Sequence, residues 1–441
     1  MALAFLAITF LYTWSLNRTG VITPDEPRYA AIAKQMASSG DYISPILWGE
    51  AWFEKPPLLY WLSAAGFKLG LPGELALRLP IALFSIFFLI FYYKALSTIL
   101  GSRDTAQVAT TMLATTVFWF AFSQVAVTDL PLAATFTGTL LAIVAGWRWW
   151  ATLMFGLALL AKGGVAPVLL LPTVWLHRRD WRNWIVPATA SLAVAAIWYV
   201  PITLKYGQPF WQVFFIEHHL GRFSKSALQH VQGPLFYIPV ILGAMVPWAP
   251  FLFDLRAVRQ VGATIKPFVW TVVWGLLFFS VSTNKLPGYV LPLVPSLCVW
   301  GAVSYQKSQQ KRLLLSLSLV SLMLVLVASQ LLPNALNSGI SRQSLQSLSV
   351  PWGAAPLAIL LLRPSFGAVA AAAFLCFAWI QETSVDQVNA LASARPVWQL
   401  MKDNSAGQCV NGNVSRSIRY GLNYYANRTL PDCEVSEKPN D

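Results

Sequence analysis

The chain has 441 residues and a formal net charge of +13, yet only 11% of its residues are charged and 56% are hydrophobic, whereas an ordinary soluble domain carries about a quarter charged residues. With a mean hydropathy of +0.56, this excludes the soluble globular class and places the chain among membrane proteins. The basic residues are scattered through short connections instead of forming one patch, which argues against nucleic acid as a partner and assigns them to topology and membrane lipids.

Apolar runs recur from one end of the chain to the other. They predict an all-α polytopic membrane protein with spans at 2–16, 75–99, 105–122, 130–147, 151–162, 164–176, 184–202, 234–253, 268–282, 288–304, 313–331, 350–362 and 365–380, thirteen in all. The first run, ALAFLAITFLYTWSL, has no basic n-region and no A-x-A cleavage site, so it is expected to be a retained span. Alternate connections are basic: Lys94 with Arg103, Arg148, HRRDWR at 177–182, DLRAVRQ with Lys266, YQKSQQKR at 305–312, and Arg363. By the positive-inside rule these face the cytoplasm, and 17–74, 123–129, 162–164, 203–233, 282–289, 332–349 and the tail from 381 face the other side. Residues 1–380 are thus expected to form one transmembrane domain with long extracytoplasmic loops at 17–74 and 203–233, and 381–441 a small extracytoplasmic domain. Cys298 and Cys376 lie in apolar runs and read as small hydrophobes, whereas Cys409 and Cys433 in the tail are either a disulfide or two free thiols.

The residues able to do chemistry sit in the extracytoplasmic set. Residues 22–62, ITPDEPRYAAIAKQMASSGDYISPILWGEAWFEKPPLLYWL, gather acids and cations between two apolar segments, and two short interfacial helices are expected, one in PRYAAIAKQMAS and one in FEKPPLLYWLSAAGFKLG. Acids beside a membrane are costly unless paired, hydrated or at work. Asp25 and Glu26 in TPDEPRY are candidate catalytic acids with Arg28 as a neutralising cation, although Asp25 before Pro27 also fits a helix cap. Glu54 and Lys55 form an acid and cation pair framed by aromatics and prolines, suited to a phosphate head group or to a plain surface salt bridge. Asp129 in VAVTDLPL is an acid at an outside turn and equally a cap, and Lys162 in LLAKGGVAP is a cation at another such turn, or a snorkelling one. EHHLGRF at 217–223 brings Glu217, His218 and Arg222 together, and TNKLPGYVLPLVP supplies Lys285 and Tyr289.

These blocks, DEPRYAAIAKQMASSGDYISP, FEKPPLLYWLSAAGFKLG, ALRLPIALFS, TDLPLAATFT, GLALLAKGGVAPVLL, FFIEHHLGRF with HVQGPLFYIPVI, and NKLPGYVLPLVP, resemble the GT-C integral-membrane glycosyltransferases of the aminoarabinose lipid A transferase and protein O-mannosyltransferase-like group. They occur in the family's order over residues 22 to about 300, and no counterpart is recognised after about residue 305. The resemblance implies a GT-C fold in the cell membrane, an undecaprenyl or similar polyprenyl phosphosugar donor, and an extracytoplasmic acceptor. It also implies Asp25 as the acid nearest the chemistry, and Lys55, Arg222 and Tyr289 near the lipid phosphate. Asp129 and Lys285 fall in matching blocks, and Glu54 with His218 would be a divalent metal or structural pair. No cofactor is required in this picture, because the leaving group is a lipid phosphate. A transporter or flippase of an anionic lipid is the rival; such proteins place ionisable groups near the midplane on broken helices, often in two related halves, and no internal repeat is found.

Overall fold

The computed structural model describes residues 2–220, 232–254, 263–282, 284–337, 342–346, 348–403 and 408–433. Each of the thirteen apolar runs carries helix. Five helices, Gly73–Leu100, Arg182–Tyr206, Pro287–Lys307, Lys311–Leu336 and Phe366–Ala392, are long and apolar enough to cross a membrane, and a bent pair adds a sixth. Other runs form shorter apolar helices such as Asp129–Val144, Val165–Leu176 and Lys266–Val281.

The chain begins with α1 (Ala2–Thr13), followed by α2 (Asp25–Ser39), a hairpin of β1 (Ile46–Leu47) and β2 (Glu50–Ala51), α3 (Leu58–Lys68) and α4 (Gly73–Leu100). The two helices expected in the first long connection are α2 and α3, which pack on each other, and α3 packs on α4. Asp25 and Glu26 occupy the first turn of α2, where the partial positive charge of the helix end favours them. Ile32, Ala33 and Met36 bury its inner face, and Gly40 (φ 76°) ends it by donating its N–H to the Met36 carbonyl. The hairpin register pairs Leu47 with Glu50, and Trp48 (φ 51°) with Gly49 (φ 97°) supplies the two left-handed positions of its turn. Pro80 inside α4 cannot donate to the Ala76 carbonyl. Gly66 of α3 lies against that oxygen, where a Cβ would come within 1.9 Å.

The run expected at 105–122 is broken into α5 (Arg103–Ala114) and α6 (Val117–Ser123), bent by 60°. A break in apolar surroundings must satisfy its own backbone, and it does: Tyr12 donates to the Ala114 carbonyl at 2.9 Å and the Val117 N–H donates to Val246 at 3.0 Å. Trp248 Nε1 adds a bond to Thr115 Oγ1 at 2.9 Å. α7 (Asp129–Val144), α8 (Arg148–Lys162), α9 (Val165–Leu176) and α10 (Arg182–Tyr206) follow, with α8 packed between α7 and α10. Gly156 permits the close approach of α8 to α10, since a Cβ there would sit 2.5 Å from the Val194 side chain.

The domain boundary expected at 380 falls inside the continuous helix Phe366–Ala392. Beyond it, Ala394, Val410, Leu422 and Leu430 form a small core of their own. Cys409 and Cys433 are joined in a disulfide, and Cys298 and Cys376 are buried thiols.

Connections sort to two ends of the bundle as the charge pattern predicts. At one end the 17–74 segment meets 123–129 through Glu26 and Ala126, 162 meets 129 and 289 through Lys162, and Lys205 meets Asp41. The basic connections meet at the other end. There Leu100, Thr105, Thr264, Val303, Gln306 and Lys307 line a cavity of about 170 Å³ that holds none of the candidate site residues, and Lys311 lies over Tyr305.

Candidate active site

The site begins at the entry to α2, where Thr23 (φ 62°) turns the chain and Pro24 caps the helix. Arg28, one turn into α2, reaches back to pair with Asp25, and its Nε donates to the Pro24 carbonyl at 3.0 Å. Its Nη1 also meets Glu54 Oε2 at 3.5 Å, and the other oxygen of Glu54 accepts from Lys55 Nζ at 3.0 Å. Two acids and two cations from separate parts of the first connection therefore form one alternating row. The Arg28, Glu54 and Lys55 side chains are 10–12% exposed, but that of Asp25 is 42% exposed, so Asp25 is the carboxylate of the row that a substrate can reach. Tyr29 and Tyr60 lie behind the row with ring centroids 5.7 Å apart. Burial, and then the nearby Glu54 and Asp25 carboxylates, push both phenols well above their ordinary value, so they remain neutral.

A second group stands beside the first. Asp129, at the first turn of α7, accepts from Lys162 Nζ, at the last turn of α8, at 2.8 Å. The Lys162 ammonium lies 5.1 Å from the centre of the Tyr289 ring. Gly288 makes room for this group, since a Cβ there would meet Phe122 at 2.9 Å and Asp129 at 3.4 Å. The two groups are tied through Glu26, whose Oε1 accepts the Ala126 N–H at 3.1 Å, three residues before Asp129. That spacing limits the separation along the backbone to about 11 Å.

Glu26 itself departs from the expectation of a catalytic acid. It is fully buried, both oxygens receive Arg78 hydrogen bonds of 2.7 Å, and Ile22 N–H adds a bond of 2.9 Å. With its lone pairs taken and no solvent contact it fixes the chain instead of meeting a substrate. Lys285 likewise lies outside the two groups: its ammonium bonds the Gln232 carbonyl at 3.0 Å and the Ser282 carbonyl at 2.5 Å, closing its own turn. His218 belongs to the π-helical stretch Gln212–Leu220. Its side chain, with Arg222, lies outside the described residues. Among the described residues no group of three His, Cys, Asp or Glu gathers as metal ligands.

Two participants were hidden in the sequence. Lys162 is paired with a carboxylate 33 residues away, so no helical or strand period reveals it. Arg78 sits in an apolar helix, and a charge there is a signal of function or structural pairing. Besides Glu26 it bonds the carbonyls of Leu16, Thr19 and Gly20 at 3.0, 2.8 and 2.9 Å, clasping the stretch that leads into TPDEPRY. The row can do two things chemically: accept a proton at Asp25, and offer cations to a phosphate at its rim.

Residues 54–204 match the dolichyl-phosphate-mannose-protein mannosyltransferase family. The undecaprenyl phosphate-alpha-4-amino-4-deoxy-L-arabinose arabinosyl transferase of Pseudomonas aeruginosa is 29% identical over 339 residues, 69% of this chain and 60% of that protein. The Serratia proteamaculans enzyme of the same name is 30% identical over 67% of this chain and 57% of its own length. This chain thus spans about 60% of the length of these relatives. Among solved structures, ArnT from Cupriavidus metallidurans bound to undecaprenyl phosphate superposes with a TM-score of 0.80 at 21% identity, covering 97% of this chain and 85% of that one. The arabinosyltransferase EmbB from Mycobacterium smegmatis gives 0.51 at 14% identity, covering 97% of this chain and 42% of that one. The resemblance and the GT-C fold read from the sequence are borne out.

Proposed function

We propose that this chain, a GT-C-type relative of the undecaprenyl phosphate aminoarabinose transferases, moves a sugar from a polyprenyl-phosphate-linked donor to a hydroxyl of a lipid, glycan or protein acceptor. Asp25 acts as the base. Its carboxylate takes the acceptor proton as the hydroxyl oxygen attacks the anomeric carbon, and the bond from that carbon to the phosphate oxygen breaks in the same displacement, inverting the centre. The leaving polyprenyl phosphate needs cations where charge develops, and Lys55, Arg222 and Tyr289 are assigned to it, with the Asp129–Lys162 pair beside them. Arg28 keeps Asp25 ionised and oriented, and Glu26 and Arg78 position the turn that carries it.

The observation that supports this most strongly is that Asp25 alone in the charged row is open to a substrate, while its cation partners are held against it from the protein side. The donor is an amphiphile whose head group lies at the membrane surface, and the row stands where connections leave the bundle. We assign that end to the extracytoplasmic side because the basic connections lie at the other. In this reading no cofactor is required. A divalent ion at Glu54 with His218 would compete with two cations already on Glu54, and titration with a chelator distinguishes the cases. Mass spectrometry of envelope glycolipids and glycoproteins after deletion tests the proposal: one class of molecule loses a single sugar, and an unchanged profile contradicts it.

A further inference from the structure

We propose that Tyr420 is a positioning residue of the site, and that the disulfide-closed C-terminal segment is part of the catalytic end through it. The inference rests on the glycosyl-transfer reading for its consequence, and on geometry for its contact. The Arg28 guanidinium is planar with its donors at the edge. Its edge is engaged by Pro24 O, Asp25 and Glu54. Its carbon lies 5.2 Å from the ring centre of Trp52 and 5.4 Å from that of Tyr420. Acceptors at the edge fix where the donors point, and rings against the guanidinium resist tilting of the plane. Trp52 belongs to the first connection, but Tyr420 comes from almost the other end of the chain.

The ring is held there from two directions. Helix Arg416–Ala426 starts at Ser415, whose hydroxyl accepts the Ile418 N–H, and packs on α2. Gly421 lies where a Cβ would be 2.6 Å from Ala394 Cβ, and Tyr425 hydroxyl accepts the Val21 N–H at 3.1 Å while donating to Glu74. Arg395 pairs with Glu74 at 2.5 Å and bonds the carbonyls of Asn17, Arg18 and Thr19. From the other side, Trp48 at the hairpin tip approaches the Tyr420 ring with centroids 5.6 Å apart. Displacement of the ring frees Arg28, and through it the orientation of Asp25, without removing any group that touches substrate.

The test uses the purified full-length protein with a polyprenyl phosphosugar donor. Tyr420→Ala is expected to lower kcat by about tenfold to a hundredfold, as misplacement of a reacting group does, with donor KM and unfolding midpoint near wild type. Tyr420→Phe keeps the ring and is expected to restore the rate. An Ala variant as fast as wild type, or a Phe variant as slow as the Ala one, overturns the proposal. A wild type that shows no transfer ends the functional reading alone. The contact is then decided by a thermal-stability double-mutant cycle between Arg28→Ala and Tyr420→Ala, in which non-additive effects support it and additive ones overturn it.

Discussion

Arg78 closes on Glu26 through two hydrogen bonds of 2.7 Å, with both side chains shut off from solvent. A buried pair of this kind is costly to break, because the remaining charge stays buried without a partner. Arg78→Ala is expected to lose about 3 to 5 kcal/mol of stability, and Glu26→Ala a similar amount. Thermal unfolding in detergent measures both, and a loss within about 1 kcal/mol would remove the structural role given to the pair.

Asp129 and Lys162 are joined at 2.8 Å beside Tyr289. Lys162→Ala and Asp129→Asn are each expected to reduce transfer by about a hundredfold. The double variant should be little worse than either alone, since groups that act as a unit are not additive. Multiplying losses in steady-state kinetics would separate the two residues.

Gly66 has no room for a side chain against the Ala76 carbonyl. Gly66→Ala must push α3 from α4 and is expected to cost about 1 to 3 kcal/mol, read as a lower unfolding midpoint. The exposed Gly70, with nothing near its Cβ position but φ at 72°, should lose only about 1 kcal/mol or less on substitution by Ala.

Asp41 gives a pH signature. Burial opposes its ionisation, but hydrogen bonds from Lys205, Ser44 and Ile43 hold the carboxyl well below the usual carboxylate range. A depressed folded value stabilises the protein above the unfolded value of about 3.9, and that contribution fades as the pH falls through the folded one. The gap in unfolding temperature between wild type and Asp41→Asn should therefore be flat above about pH 5 and shrink below about pH 4. A gap that widens in acid would contradict the assignment.

Much of this was legible in residue order. The helices α2 and α3 follow from their apolar spacing and from prolines at their starts, and the neighbouring Glu54 and Lys55 do pair. Alternating basic connections foretold which ends of the helices meet. Pairings between distant segments were not legible: Lys162 read equally as a snorkelling cation, and Glu26 as a reactive acid, because neither Asp129 nor Arg78 is a periodic neighbour. The tail was unreadable for the same reason, since Tyr420 acquires its place only when its helix packs on α2. Span counting also overstated regularity, because α5 and α6 divide one apolar run at a bend whose backbone is satisfied by Tyr12 and by Val246.

The central claim is tested most directly by single-turnover transfer in proteoliposomes, with a labelled polyprenyl phosphosugar and the wild-type, Asp25→Asn and Lys55→Ala proteins. Wild type should release polyprenyl phosphate as the label appears on the acceptor, with Asp25→Asn slower by about a thousandfold and Lys55→Ala by about a hundredfold. Undiminished transfer by both variants, or label that crosses the bilayer still attached to its polyprenyl phosphate, would contradict the account.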